Sequence, residues 1–211
     1  MKINNPKIAN YEMSSFNECI INNEFNKVLI NENSNDFLDL TEYTLDECIF
    51  ENINFTNINI NDLGLMDVIF RNCDLSNKHF NNTFLTRVIF ENCKLVGLSF
   101  IDSSLKDIKV INSNCKYINF GGTNVVNFEA RTSDLTEGSF NESVLKNTIL
   151  NNVNFTKASF LNTNLKDVDF STSIIENISF DIKSLNGIII NKYDASNIVG
   201  AFNVKVIWLN L

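Results

Sequence analysis

From Leu40 onward every fifth residue is apolar. The series runs Leu45, Phe50, Phe55, Ile60, Leu65, Phe70, Leu75 and Phe80, and continues in the same register to Phe180, Leu185 and Ile190. A helix needs apolar spacings of three and four, and a half-buried strand needs two, so a strict five fits neither. Residues two before each centre form a second inward set. Cys48, Ile53, Ile58, Val68, Cys73 and Val88 are typical: small or branched, as suits a narrow core beneath a large neighbour. Lys78, Phe128 and Lys183 break that rule. Burying an ammonium is costly, so backbone distortion is expected at both lysines.

A longer period lies on top of the five. One column reads Leu45, Leu65, Leu85, Leu105, Val125, Leu145, Leu165 and Leu185; another reads Phe80, Phe100, Phe120, Phe140, Phe160 and Phe180. Like side chains every twenty residues imply a coil that closes after four pentapeptides. Successive coils then pair as parallel strands about 4.8 Å apart. The centres from 40 to 190 amount to about eight turns, a rod of roughly 35–40 Å.

Composition narrows the possible functions. The chain has 211 residues, mean hydropathy −0.04, one proline and seven glycines. That indicates one domain with a real core and argues against a loop-rich or disordered chain. It has no run of about eighteen apolar residues, and Met1 to Phe16 lacks a signal-peptide stretch. A cytoplasmic protein with no membrane partner is the expectation. The net charge of −8 opposes direct binding to nucleic acid. The lone His79 rules out a histidine-built metal site or a conventional triad, and no cofactor motif is present. A convex prism with unbroken register offers no cleft to tune a carboxylate, so no enzymatic activity is expected. Cys19, Cys48, Cys73, Cys93 and Cys115 fit no zinc spacing. Cys73 and Cys93 stack one coil apart, and all five are read as inward, reduced thiols.

Units such as Val68-Ile69-Phe70-Arg71-Asn72, Cys73-Asp74-Leu75-Ser76-Asn77 and Val168-Asp169-Phe170-Ser171-Thr172 resemble the pentapeptide-repeat family over residues 40–190. That resemblance implies an all-β fold, a right-handed quadrilateral parallel β-helix. The beat stops after Ile190. The segment from Tyr193-Asp194-Ala195-Ser196 to Val206-Ile207 is similar to the end of the Qnr-type quinolone-resistance proteins. It implies a short capping helix followed by a dimerisation strand. Physics independently requires a cap on the last turn, where core and backbone would otherwise lie open. The expected organisation is a lead-in at 1–18, a β-helix at 19–190 with a possible loop at 31–36, and a cap and dimerisation segment at 191–211. A tail-to-tail homodimer would use Tyr193, Ile198, Phe202, Val204, Val206 and Trp208; the alternative is a cap without dimerisation. Qnr proteins also carry a larger projecting loop that contributes to drug protection. The register from 40 to 190 leaves no room for it, and loop-less relatives resemble plain topoisomerase inhibitors.

Acidic residues recur on the lattice. Glu42, Asp62, Asp102 and Glu142 share one column; Glu47, Asp67, Asp107 and Asp167 share the equivalent column on the adjoining face. The family resemblance implies that such columns act as a DNA mimic at the saddle of DNA gyrase or topoisomerase IV, modulating the enzyme or protecting it from quinolones. The alternative is an interaction scaffold for another protein. Residues 1–70 carry 12 acids and 3 bases, and residues 71–211 carry 13 and 14. A tail-to-tail dimer would thus be negative at its distal ends and near neutral in the middle. Asn52, Asn72, Asn92, Asn112 and Asn152 form a further column, interrupted by Thr132 and Thr172 and read as a ladder of stacked amides.

Overall fold

From Phe25 to Ile189 residue i pairs with residue i + 20, apart from one local slip near Lys183. Phe25 lies beside Leu45, Leu45 beside Leu65, Leu65 beside Leu85, Leu85 beside Leu105, Leu105 beside Val125 and Val125 beside Leu145, always parallel. Isolated bridges extend the register to Asp169 and Ile189. The computed structural model describes residues 2–200 and 207. In it the chain winds through about seven turns of a parallel β-solenoid. Two adjoining faces are continuous sheet, built by Leu65–Arg71, Phe84–Glu91, Ser104–Ile111, Asn124–Arg131 and Val144–Asn151. The other two faces are short bridges joined by turns, such as the one closed by Lys78 N–H on Leu75 C=O at 3.2 Å.

Corners explain the chain's appetite for asparagine and aspartate. The residue two past most centres takes a left-handed backbone: Asn52, Asp62, Asp67, Asn72, Asn77, Asn82 and Arg87 have φ between 50° and 60°. A short polar side chain tolerates that conformation better than most. Gly122 (φ 65°) fills one corner for a second reason, since a Cβ there would lie 2.2 Å from Asp102 Oδ1. The asparagine column therefore has a backbone cause, and Thr132 takes its place there with the same left-handed backbone (φ 48°). Among the described residues one amide bond links neighbours in that column, from Asn72 Nδ2 to Asn52 Oδ1 at 3.1 Å. The expected ladder is thus reduced to a single rung, and the corner conformation explains the column instead.

The interior is a file of stacked rings. Phe80, Phe100, Phe120, Phe140 and Phe160 follow one another at centroid distances of 5.9, 5.1, 4.9 and 4.6 Å, and Phe50, Phe70 and Phe90 stack at 5.3 and 5.2 Å. Inward hydroxyls are tolerated because they find carbonyls. Ser103 Oγ donates to Phe80 C=O and Thr123 Oγ1 to Phe100 C=O, both at 2.6 Å.

Both ends are covered by helices. Phe16–Asn22 closes the N-terminal end, its Phe16 ring stacked 6.1 Å from Phe50. Ser15 and Glu18 form a capping box, with Glu18 N–H donating to Ser15 Oγ and Ser15 N–H donating to Glu18 Oε2. This helix straddles position 18/19, where the periodicity places the start of the coils. The loop at 31–36 is tied down by Asn33, whose Oδ1 accepts from Asn54 N–H at 2.7 Å and whose Nδ2 donates to Asn52 C=O at 3.0 Å. Its side-chain amide stands in for a missing backbone rung. At the other end, Ala195–Gly200 is helical, and Ile198 joins the core of its own chain.

The two lysines expected to distort the backbone behave differently. Lys78 keeps the regular turn, with its stem half-buried between Ile58 and Leu98 in its column and its Nζ at 3.5 Å from Thr56 C=O. The long stem lets the charge escape to the rim, so no distortion is needed. Replacing Lys78 with leucine is expected to raise stability by about 1 kcal/mol in urea unfolding, by filling the column with apolar surface. Lys183 does perturb the chain. It is exposed, and Ser184 takes the inward place, donating from Oγ to Phe160 C=O at 2.9 Å across 24 residues instead of the usual 23. The register recovers where Phe170 N–H meets Ile189 C=O at 2.8 Å. This slip falls in the last coil, which leaves fewer regular turns than the periodicity alone counts.

Candidate partner-binding face

Among the described residues no three His, Cys, Asp or Glu side chains gather as a metal site, and no helix is long and apolar enough to cross a membrane. His79 is exposed, and its backbone N–H is held by Asn61 Oδ1 at 2.9 Å. All five cysteines are buried free thiols. Burial pushes Cys48 up to about 12; the Cys73 thiol and burial together push Cys93 upward, so neither is a ready nucleophile.

The two acidic columns part company. Glu42, Asp62, Asp102 and Glu142 are all exposed, and none makes an ion pair among the described residues. They occupy one edge, with Asp62, Asp102 and Glu142 at left-handed corners (φ 58°, 55° and 59°). From Glu42 to Glu142 the column spans five coils, about 24 Å. Local demand for a corner residue and exposure of charge thus coincide at these positions.

In the second column Asp167 is exposed and Glu47 half-buried, whereas Asp67 and Asp107 are only 4% and 2% exposed. Arg87, one coil above Asp67, grips that carboxylate with Nε–Oδ1 at 2.5 Å and Nη2–Oδ2 at 2.6 Å. The N-terminal segment supplies the rest. Lys7 N–H donates to Asp67 Oδ1 at 2.8 Å, while Asn4 donates to Asp107 from its N–H and from Nδ2, each at 3.1 Å. Asn127 Nδ2 adds a bond of 2.8 Å to Asp107. Periodicity does not reveal these partners, because Asn4 and Lys7 lie 103 and 60 residues from the acids they meet. Arg87 is visible in the sequence as a base between the acids at 67 and 107.

Burial alone would raise the carboxyls of Asp67 and Asp107. For Asp67 the Arg87 hydrogen bonds and the Lys7 amide outweigh it, and for Asp107 the Asn4 and Asn127 donors do, so both sit below the ordinary aspartate value of 3.8. A depressed carboxyl stabilises the fold fully above its unfolded value and loses that contribution as pH falls through the folded value. Melting temperature is therefore expected to stay level from pH 7 to about pH 4 and to drop below it. In a melting series, Asp67→Asn with Asp107→Asn should flatten part of that drop.

On the adjoining face the acids are paired. Glu129, 7% exposed, is held by Lys109 at 3.4 Å and by Arg131, and Arg71 sits 3.4 Å from Glu91. Of the residues expected at a dimer contact, Tyr193 is exposed and Ile198 is turned into its own core, while Phe202, Val204, Val206 and Trp208 lie outside the described residues.

Two family models match the chain: "Pentapeptide repeat region" over residues 63–134 and "Pentapeptide repeats (8 copies)" over residues 139–177. Together they cover more than half of it. No curated protein matches. Among solved structures, full-length QnrB1, a plasmid-mediated fluoroquinolone resistance protein, is 20% identical; the match covers 86% of this chain and 93% of that one, with a TM-score of 0.48. HetL, a pentapeptide repeat protein involved in heterocyst differentiation regulation from the cyanobacterium Nostoc sp. strain PCC 7120, is 15% identical over 79% of this chain and 89% of that one, with a TM-score of 0.32.

Proposed function

Because the chain belongs to the pentapeptide-repeat family, we propose that it is a protein-binding solenoid that takes the place of duplex DNA on a bacterial type II topoisomerase, DNA gyrase or topoisomerase IV. The observation that carries this reading is the exposed, unpaired edge of Glu42, Asp62, Asp102 and Glu142. Its carboxylates are sparser than the phosphates of a duplex, which carries a charge every ~1.7 Å, yet they recur in one column of the stacked coils. Such a line suits a cationic groove built for DNA, where complementary charge sets encounter rate and register. The closing segment from Tyr193 to Ile207, similar to that of Qnr-type proteins, supports the same partner.

In this reading two chains join tail to tail, which doubles the rod to roughly 70 Å. Light scattering should give the mass of a dimer, and Val206→Asp or Trp208→Asp should give a monomer. An unchanged mass in both variants would remove the C-terminal interface from the account. For the function itself, purified protein at micromolar concentration or below is expected to inhibit gyrase supercoiling or to rescue it from a fluoroquinolone. Indifference in both assays defeats the proposal; a pull-down that returns a different protein and no topoisomerase subunit favours the scaffold alternative.

A further inference from the structure

Residues 2–10 lie along the outside of the solenoid as an arm. Their amides make none of the regular rungs of the coil; the first such bond is Glu12 N–H to Lys27 C=O at 2.9 Å. Up to that point the arm is held by Asn4 on Asp107, by Lys7 on Asp67, and by Ile3, which is 7% exposed. The geometry is a match of two repeats. Three extended residues from Asn4 to Lys7 reach about 10 Å, and two coils from position 107 to position 67 span about the same. Each carboxylate presents an oxygen to a backbone N–H, a group that every residue except proline carries. Asn4, Asn5 and Lys7 are themselves exposed. So few anchors leave the arm among the least stable parts of the fold. The arm, together with Arg87 and Asn127, keeps Asp67 and Asp107 hidden, although they share a column with the exposed Asp167.

We propose that the corner column Asp67, Arg87, Asp107 and Asn127 is a docking groove for an extended peptide, filled in cis by residues 3–7, and that the arm must leave before these carboxylates can meet a topoisomerase. The second half rests on the topoisomerase reading; the groove does not. An extended partner segment with two free amides three residues apart would compete with the arm, whose tether gives it a high effective concentration.

The test uses the full chain with Asn4→Pro and Lys7→Pro, which delete both amide donors and leave the groove untouched. The probe is a fluorescent synthetic peptide of residues 2–10. The proline variant is expected to capture it at least about tenfold more tightly than the unaltered chain, and adding Asp107→Ala should abolish capture. The variant should also bind gyrase about tenfold more tightly than the unaltered chain. Failure of the variant to capture the peptide overturns the groove. Capture with equal gyrase binding by both chains overturns the gating. Capture with gyrase bound by neither chain supports the groove and counts against the topoisomerase reading instead.

Discussion

Truncating Phe140 to alanine is expected to destabilise the protein by about 3–5 kcal/mol. The ring is 1% exposed and lies between Phe120 at 4.9 Å and Phe160 at 4.6 Å, nearly parallel to both, with the edge of Phe155 at 6.0 Å. Its neighbours have little freedom to close the gap. Backbone bonds from Phe120 N–H to Ser139 C=O (2.7 Å) and from Phe140 N–H to Ser159 C=O (2.8 Å) fix the coils on either side. The cavity therefore persists, and its full cost is felt. A solenoid adds a second consequence. Each coil contacts only its neighbours, so a weakened middle uncouples the two halves. Urea unfolding followed by circular dichroism should show a lower midpoint and a broader transition. A loss below about 1 kcal/mol would mean that the aromatic file is not the main source of cohesion.

Neutralising the exposed edge is expected to have the opposite profile. Asp62→Asn, Asp102→Asn and Glu142→Gln together should weaken topoisomerase binding by about 10- to 100-fold. Stability should be nearly unchanged. Asn82 and Asn162 already hold the same corners in neighbouring coils at φ 54° and 56°, so the backbone accepts the first two replacements without strain. The bond that Asn81 N–H gives to Asp62 Oδ1 at 3.1 Å is one an asparagine oxygen also accepts. Binding measured by biolayer interferometry beside a melting curve separates the two effects. Equal affinity in the triple variant would show that this edge does not face the partner.

Most of the fold is legible in the sequence because one physical constraint repeats. A large side chain must enter the core once per face, so register, column identity and the stacking of Phe80 to Phe160 follow from the spacing of five. Features that do not repeat need other signals. The N-terminal helix is announced by Ser15 and Glu18 in capping-box spacing, a local signal outside the five-residue beat. Lys78 and Lys183 look alike in the pattern and differ in outcome. The first has a core column on both sides to hold its stem, and the second lies in the last coil, where the chain is free to slip. The acidic columns are readable as columns but not in their exposure. Part of what hides Asp67 and Asp107 comes from the N-terminal segment, and Arg87 and Asn127 in the next coil supply the rest. The corner φ values add a lesson about composition: asparagine and aspartate are selected there by the backbone, and charge is an option the corner permits.

The most direct test of DNA replacement is a competition between this protein and duplex DNA for one topoisomerase. Gyrase is loaded with a fluorescent linear duplex and titrated with the full chain, while the bound fractions of both are followed. Mutual exclusion is the predicted result: the duplex leaves as the protein binds, and excess duplex displaces the protein in turn. A stable complex holding gyrase, duplex and this protein together would contradict it.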